Sequence, residues 1–290
     1  MEGFKDRTRC LNQFWNKIPE NERQAIVELA LENPELSSRE IAVKYTDERG
    51  SFVSESSVYR ILKACNLIVS PVFAVSRAKD KFQHPTTRIN ELWQTDFTYF
   101  KIIGWGWYYL STVMDDYSRM ILSWKLCSTM RAEDVKETLD LAIQRTGVHD
   151  ARIEVRPRLL SDNGPCYISK SLQEHLKEQE MGHTRGKPFH PMTQGKIERY
   201  HRSMKNIILL DNYYLPMQLE AETERWVEYY NNERYHESVG NITPRDKYLG
   251  REERIFTRRR QIKKQTIRRR REAYRNQRLR AGNSEESLVS

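Results

Sequence analysis

The fold is decided by the stretch Leu92–Lys101 (LWQTDFTYFK), in which aromatic and β-branched side chains surround the carboxylate of Asp96. Such side chains fit the pleated, half-buried surface of a sheet, so the stretch predicts a β-strand. A carboxylate inside an apolar strand costs several kcal/mol unless a cation or a hydrogen-bond donor compensates it. Asp96 is therefore the first candidate functional residue.

The sequence on the carboxyl side of this strand alternates between strand and helix patterns. Two further apolar runs over short turns predict a three-stranded antiparallel meander, and a helix capped by Ser128 or Thr129 then runs to Gly147. The remaining predicted elements are a buried strand at 159–160, a helix at 169–179, a short strand at 182–185 and helices at 194–211 and 217–232. The order βββαβαβα predicts a mixed α/β domain around a central sheet.

Residues 20–65 read as three short helices with turns between them, and Ser37 with Glu40 forms a capping-box pattern before the second. This layout suits a helix-turn-helix in which the third helix presents Tyr59, Arg60 and Lys63 to DNA. A small helical bundle without DNA contact has the same pattern, so both interpretations stay open.

Net charge is concentrated at the carboxyl end of the chain. Of the formal +9 for the whole protein, residues 251–280 carry fourteen Lys or Arg against three acids, a local net of +11. The run Arg268-Arg269-Arg270-Arg271 beside a nearly neutral body predicts a polyanion-binding arm, with a merely solvated basic helix as the alternative.

Several classes are excluded or disfavoured by composition. No apolar run approaches the length of about 18 residues that a membrane span needs, and the first twenty residues lack a signal-peptide layout. The four cysteines are scattered without a C-x-x-C pair, which argues against a structural zinc site and a disulfide framework. We therefore expect a cytoplasmic protein.

Two further acids stand in informative places. Asp162 follows a buried strand, and Glu198 lies one turn into the helix that starts after Gln194-Gly195. Together with Asp96 they could hold two Mg²⁺ or Mn²⁺ ions, because hard cations prefer oxygen ligands and two such ions can clamp a phosphoryl displacement. Any one of these acids could equally be a solvated or ion-paired carboxylate, and spacing alone does not decide.

The surrounding motifs resemble those of a known superfamily. The segments 93–99 (WQTDFTY), 160–167 (LSDNGPCY) and 191–199 (PMTQGKIER) resemble the three acidic motifs of DDE transposases and retroviral integrases, and thirty-five residues separate Asp162 from Glu198, as in their D,D-35-E interval. The segment 230–238 (YNNERYHES) and Thr243-Pro244 resemble the closing part of insertion-sequence transposases of the IS3 group.

This resemblance implies an RNase H-like core at 88–250 with a helix-turn-helix upstream, which matches the helix-turn-helix region at 1–65. The sequence itself predicts a linker at 66–87 and an Arg-rich tail at 251–290, and the tail lies outside the resemblance. The resemblance implies two Mg²⁺ (or Mn²⁺) ions held by Asp96, Asp162 and Glu198, with water attacking in donor-end cleavage and a DNA 3′-hydroxyl attacking in strand transfer. No covalent protein–DNA intermediate is then needed.

The resemblance also guides the predicted partners, which are double-stranded DNA at the terminal inverted repeats and the target site, and further copies of the chain in a dimer or larger assembly. An upstream-frame transposase protein is a further candidate partner, and the nucleoid of a bacterium is the expected location. The predicted DNA-binding residues are Gln194, Gly195, Arg202, Lys205, Tyr59, Arg60, Lys63, Arg268, Arg269 and Arg270.

Two other functions compete with a transposase. A nuclease of the same fold would cut DNA without joining it, and a non-enzymatic DNA-binding regulator would use residues 20–65 and the tail alone. Asp115 and Asp116 are expected to be structural, because they match a non-catalytic turn in the superfamily. For Arg202 and Lys205, which share a helix face with Glu198, an ordinary basic helix surface is the alternative to DNA contact.

Overall fold

The computed structural model describes residues 14–68, 86–150, 156–186 and 194–286. The chain forms two compact units: unit 1 comprises residues 1–75 with 253–290, and unit 2 comprises residues 76–252. The basic tail, which the sequence separates from the N-terminal helices, therefore belongs to the same compact unit as those helices.

Unit 1 begins with three helices, α1 (Glu20–Glu32), α2 (Ser38–Arg49) and α3 (Glu55–Ala64). The capping box predicted before α2 is formed, because the Ser37 side chain accepts from the Glu40 backbone N–H while the Glu40 carboxylate accepts from Ser37 N–H at 3.0 Å. Ser54 caps α3, and its side chain accepts from Ser57 N–H. The three helices enclose a small apolar core that includes Ile26, Ile41 and Val58.

Unit 2 is built on a five-stranded mixed sheet. Its strands are β1 (Leu92–Ile102), β2 (Gly106–Asp115), β3 (Ile121–Cys127), β4 (Arg158–Ser161) and β5 (His183–Arg185), in the spatial order β3-β2-β1-β4-β5. The first three strands are antiparallel, as the meander predicts, whereas β4 runs parallel to β1 and β5 parallel to β4. This is the RNase H-like arrangement, so the predicted fold class is confirmed.

Helices cover both faces of this sheet. They are α4 (Ala132–Thr146), α5 (Pro165–Ile168), α6 (Lys170–Glu178), α7 (Gly195–Ile208), α8 (Pro216–Asn232) and α9 (Pro244–Tyr248). One apolar core joins the sheet to α4 and α6 around Trp93 and Leu139, and the other joins it to α7 and α8 around Phe100 and Tyr200.

Two local predictions in unit 2 need correction. Helix α4 starts at Ala132 with Arg131 as its N-cap, and neither Ser128 nor Thr129 is the capping residue. The carboxylate of Asp134 accepts from both Thr129 Oγ1 and Arg131 N–H, so the intervening residues form a turn before the helix. The short helix α5 was not predicted; it begins at Pro165, whose fixed φ suits a first helical position.

The last element is α10 (Glu252–Glu286), nearly all of which lies in unit 1. Ile262, Thr266 and Arg270 are buried along one side of α10, at the four-residue spacing of a single helix face. Phe52 N–H, in the loop between α2 and α3, donates to Thr266 Oγ1 at 2.9 Å. The helix is thus a packed component of unit 1. Among the helices of the described residues, none combines the length and apolar character that a membrane span requires.

Candidate active site

Two of the three predicted carboxylates lie on or directly after adjacent strands of the sheet. Gln94 of β1 pairs with Leu160 of β4; Asp96 lies two residues after Gln94 in β1, and Asp162 lies two residues after Leu160, just past the end of β4. Neighbouring strands lie about 4.8 Å apart, and residues two apart share a face. Asp96 therefore shares a face with Gln94, which accepts a hydrogen bond from Ile197 N–H of α7.

Asp96 is held at both of its oxygens. Its Oδ1 accepts from Phe97 N–H at 2.9 Å, and its Oδ2 lies 3.3 Å from Nδ1 of His201. His201 is itself buried, and its Nε2 lies 3.4 Å from Oγ1 of Thr112, the β2 residue paired with Asp96. The imidazole thus bridges two adjacent strands beside the carboxylate.

His201, which lies beside Asp96, is a residue of the candidate site that the sequence analysis did not single out. The available signal was its position three residues after Glu198, which puts both side chains on one face of α7.

Glu198 projects from the first turn of α7. Partial burial raises the pKa of its carboxyl, and the negative charge of Asp96 raises it further, while Arg202, Arg199 and His201 act in the opposite direction. The two carboxylates are therefore close enough to repel each other.

Asp162 lies just past the end of β4 and is exposed. Its Oδ1 accepts from Gly164 N–H at 2.8 Å, which orients the carboxylate over the turn. Burial raises the pKa of the neighbouring Cys166 thiol to about 11, and the negative charges of Asp162 and Asp96 both contribute to that rise. One thiol thus lies within the electrostatic reach of both aspartates.

The start of α7 is fastened to the sheet by buried polar contacts. Gln194, one of the predicted DNA-binding residues, is buried, and its Nε2 donates to the backbone oxygen of Thr95 at 3.2 Å. Lys196 Nζ is buried against Asp116 and donates to both its carboxylate and its backbone oxygen. Gln94 Nε2 completes this cluster by donating to Asp116 Oδ1 at 2.6 Å.

Asp115 and Asp116 thus have structural partners, in keeping with the prediction. Asp115 accepts from Asn90 N–H and from both the N–H and the hydroxyl of Ser118. Burial is the main reason that the pKa of Asp115 is raised.

The predicted basic residues on α7 flank the carboxylates. Arg202 is exposed and electrostatically lowers the pKa of Glu198. Lys205 lies 4.1 Å above the ring of Tyr99; its pKa is lowered by burial, an effect that Asp96 opposes. Gly195 opens α7, and a Cβ added there would meet no atom within 4 Å, so its surroundings are open.

The donor set fits a hard divalent cation chemically, because it consists of carboxylate oxygens whose mutual repulsion such a cation would relieve. The positions of the described side chains fit a metal site less well than their chemistry does. Over residues 14–68, 86–150, 156–186 and 194–286, no three His, Cys, Asp or Glu side chains gather closely enough to hold one ion. The loop that precedes α7 in the third acidic motif, at 187–193, lies outside the described residues.

In unit 1, the predicted DNA-binding residues have two different environments. Tyr59, Arg60 and Lys63 are exposed on α3. Arg268 is exposed and pairs with Glu272, whereas Arg270 is buried against Glu22. The guanidinium of Arg270, a predicted DNA contact, is thus paired inside unit 1. Arg269 remains exposed while also reaching Glu22 at 3.4 Å.

Comparison with known protein families defines the class of the molecule. Residues 86–191 match one family model described as an integrase core domain, and residues 179–244 match a second model of the same description. The chain belongs to the DDE transposase and integrase superfamily.

Among individual relatives, a putative transposase for insertion sequence element IS986/IS6110 of Mycobacterium tuberculosis is 28% identical over 161 residues, which are 53% of this chain and 56% of the relative. The putative transposase InsK for element IS150 of Escherichia coli is 28% identical over 159 residues, or 54% of each chain. The chain thus spans about half the length of these curated relatives.

Solved structures with similar chains include the integrase catalytic core of HTLV-2 in complex with magnesium, at 22% identity and a TM-score of 0.43, covering 54% of this chain and 94% of that one. A simian T-cell lymphotropic virus intasome in complex with the PP2A subunit B56 gamma has 21% identity and a TM-score of 0.49, covering 76% of this chain and 73% of that one.

Proposed function

We propose that this protein is a DNA transposase, a polynucleotidyl transferase that cleaves the ends of an insertion sequence and joins them to target DNA. The observation that supports this proposal is the placement of the three carboxylates: Asp96 lies on β1, Asp162 directly follows the adjacent strand β4, and burial together with the negative charge of Asp96 raises the pKa of Glu198 on α7. The similarity to insertion-sequence transposases supports the same reaction class.

Asp96, Asp162 and Glu198 would hold two Mg²⁺ or Mn²⁺ ions. When bound, such ions supply activation of the attacking oxygen and stabilisation of the leaving oxygen in an in-line phosphoryl displacement. The protein's own contribution is to fix the carboxylates on rigid elements, since His201 and Phe97 N–H orient Asp96 and Gly164 N–H orients Asp162. Arg202 and Lys205 provide positive charge for phosphates of the DNA end.

No side chain is required as a covalent nucleophile. Tyr200 is fully enclosed and burial holds its pKa well above the ordinary value, so its phenolate is strongly disfavoured. Ser161 Oγ lies 2.9 Å from His183 Nε2, an arrangement that resembles a nucleophile–base pair. Ser161 is completely buried, however, and a DNA phosphate cannot reach a hydroxyl without access to it. Water and a DNA 3′-hydroxyl therefore serve as the attacking groups in this proposal.

The partners follow from the reaction. The substrate is duplex DNA carrying the terminal inverted repeats of the element, together with a target duplex. Because two ends must be joined in one event, we infer an assembly of at least two copies of the chain on DNA. The nucleoid of a bacterial cell is the place of action, and an upstream-frame transposase protein is a candidate member of the assembly.

The deciding experiment uses the full chain with the element's own end DNA and Mg²⁺ or Mn²⁺, and it scores cleaved and joined products separately. We expect both products for the unmodified protein and neither for Asp96→Asn, Asp162→Asn or Glu198→Gln, with DNA affinity retained. Asp211→Asn, which removes an exposed carboxylate outside the site, is the matched control and should stay active.

Each other outcome identifies a different function. Cleavage without joining would replace the transposase with a nuclease. DNA binding without either product, in the unmodified protein, would support a non-enzymatic regulator. Full activity in any of the three variants would remove that carboxylate from the site.

A further inference from the structure

Helix α10 carries two sets of basic residues on different faces, and the first set faces the N-terminal helices. Arg259 forms a two-pronged contact with Asp47 at the end of α2, through Nε to Oδ1 at 2.8 Å and Nη2 to Oδ2 at 2.6 Å. Planar arginine–carboxylate pairing of this kind is geometrically demanding. It therefore fixes the rotation of α10 as well as its position.

The second anchor of this inner face lies three turns further along the helix. Arg270 Nη2 donates to Glu22 Oε2 at 2.8 Å and to the backbone oxygen of Phe52 at 3.1 Å. The side chains of Arg270 and Glu22 are only 7% and 13% exposed, so this pair is shielded from solvent. Arg259 and Arg270 thus bind the protein itself, and we call them the anchor residues.

A second set of cations lies on another side of α10 and is exposed throughout. We call this set the outer stripe; its members are Arg260, Lys264, Arg271, Arg275 and Arg278. With 100° of rotation per residue, these five side chains fall within about 60° of one another, and their mean direction is about 140° from the buried face. The stripe is about 27 Å long, at 1.5 Å of rise per residue.

The contacts within the protein do not neutralise the outer stripe. Arg260 approaches Glu253 at 3.9 Å, but both side chains are more than two-thirds exposed, and such pairs contribute little. Arg271 and Arg278 lie over the rings of Trp15 and Tyr274, which provide no formal negative charge. A row of five cations along one side of a rigid helix is therefore presented to a polyanion.

We propose that the outer stripe is a binding surface for the phosphate backbone of duplex DNA, and that the anchor residues fix its orientation on unit 1. This inference rests on the proposed function, because it assumes that the chain handles DNA. It divides the arginine-rich run by role: Arg270 and Arg259 stabilise unit 1, while Arg271 and the rest of the stripe contact phosphates. Duplex DNA fits because it presents one charge per about 1.7 Å of axis, so a 27 Å stripe can meet a phosphate at every cation.

Deletion of the tail is a poor test of this surface, since it would also uncover the groups that Ile262, Thr266 and Arg270 bury in unit 1. Point substitutions separate the two roles. The stripe variant is Lys264→Gln with Arg275→Gln, both exposed positions. The charge-matched control is Lys170→Gln with Lys177→Gln, two exposed lysines of α6 in unit 2.

The experiment measures affinity of the full chain for a duplex of arbitrary sequence by fluorescence anisotropy between 50 and 300 mM KCl, with near-UV circular dichroism to check folding. Each lost phosphate contact should reduce the slope of log K against log salt by about 0.9, so the stripe variant should lose about 1.8. The control, with the same net charge, should keep the slope of the unmodified protein.

The outcomes separate this inference from the proposed function. If the unmodified chain fails to bind duplex DNA at all, the proposed function fails. If it binds, and the stripe variant keeps its slope or loses no more than the control, only the role of the stripe is wrong. Arg270→Met provides the reverse check: it should lower the stability of unit 1, and its slope, measured where it remains folded, should match that of the unmodified protein. A loss of 0.9 or more for folded Arg270→Met would contradict the division of roles.

Discussion

Replacing Lys196 with methionine is expected to destabilise unit 2 by about 3–5 kcal/mol, the usual result of removing one partner from a buried ion pair. The side chains of Lys196 and Asp116 are only 7% and 4% exposed, so water cannot compensate a lost charge. Asp116 would keep its contacts with Gln94 and Thr86, but its buried carboxylate would lose the ammonium group that donates to it. Burial already lowers the pKa of Lys196, which shows that the ammonium itself is costly to enclose.

A double-mutant cycle isolates the pair. Asp116→Asn alone leaves a buried ammonium and should cost a similar amount, whereas the combined Lys196→Met and Asp116→Asn variant removes both charges. The combination should therefore be less destabilised than the sum of the single changes by at least about 2 kcal/mol. Lys125→Met, which breaks an exposed pair between Lys125 of β3 and Glu137 of α4, should stay within about 1 kcal/mol of the unmodified protein.

Urea unfolding followed by tryptophan fluorescence measures these changes, because Trp15 is in unit 1 and the other five of the six tryptophans are in unit 2. With a slope of about 2 kcal/mol per molar urea, 3–5 kcal/mol shifts the midpoint by about 1.5–2.5 M. Strict additivity in the cycle, or a shift for Lys196→Met no larger than that of Lys125→Met, would refute the reasoning. Because Lys196 precedes Glu198 by two residues, catalytic activity should fall even where the variant is folded.

Three further predictions concern other parts of unit 2 and the cysteines. Burial and Arg185 lower the folded-state pKa of His183 below its ordinary 6.5, so its stabilising contribution is present above pH 6.5 and is lost as pH falls through the folded value. Urea midpoints at pH 7.5 and 5.5 should therefore differ less in His183→Gln than in the unmodified protein, and an equal difference would contradict this. A Cβ at Gly164 would lie 3.0 Å from Asp162 Oδ1, so Gly164→Ala should reduce joining at least about tenfold by turning that carboxylate, with an almost unchanged urea midpoint. Iodoacetamide at pH 8 should alkylate the exposed Cys65 well before Cys166, whose thiol has a pKa of about 11; peptide mass spectrometry that shows the reverse order would be inconsistent with the structure.

The fold of unit 2 was largely predictable because its signals are local. Alternation of side chains in β1, a turn before β3 and the stop at Gly147 each depend on a few adjacent residues, and together they gave the order of elements. The cap of α4 was misplaced because a hydroxyl-bearing residue is only one of the groups that can satisfy a helix start, and here Asp134 does so from within the helix.

The packing of α10 was not predictable from the basic run itself. Arg269, Arg270 and Arg271 are chemically identical neighbours, and only the location of Glu22, about 250 positions away in sequence, separates an internal residue from an outward one. The local sequence signal for this packing was weak, because it consisted of Ile262 and Thr266 at helical spacing among charged residues. The count of charged residues indicated a positively charged surface on α10, but it did not identify the side of the helix on which that surface lies.

For the active site too, the sequence indicated the candidate residues but not where they lie in space. The motifs around Asp96, Asp162 and Glu198 singled out these three carboxylates, whereas residue type and spacing alone did not. Their positions in space depend on the pairing of Gln94 with Leu160, a long-range register that no local pattern encodes. The register is in turn held by α7, because Gln94 both accepts from Ile197 N–H and donates to Asp116. The buried amide of Gln94, two residues before Asp96 in β1, therefore links the strand that carries Asp96 to the helix that carries Glu198, and this contact holds against the repulsion between the two carboxylates.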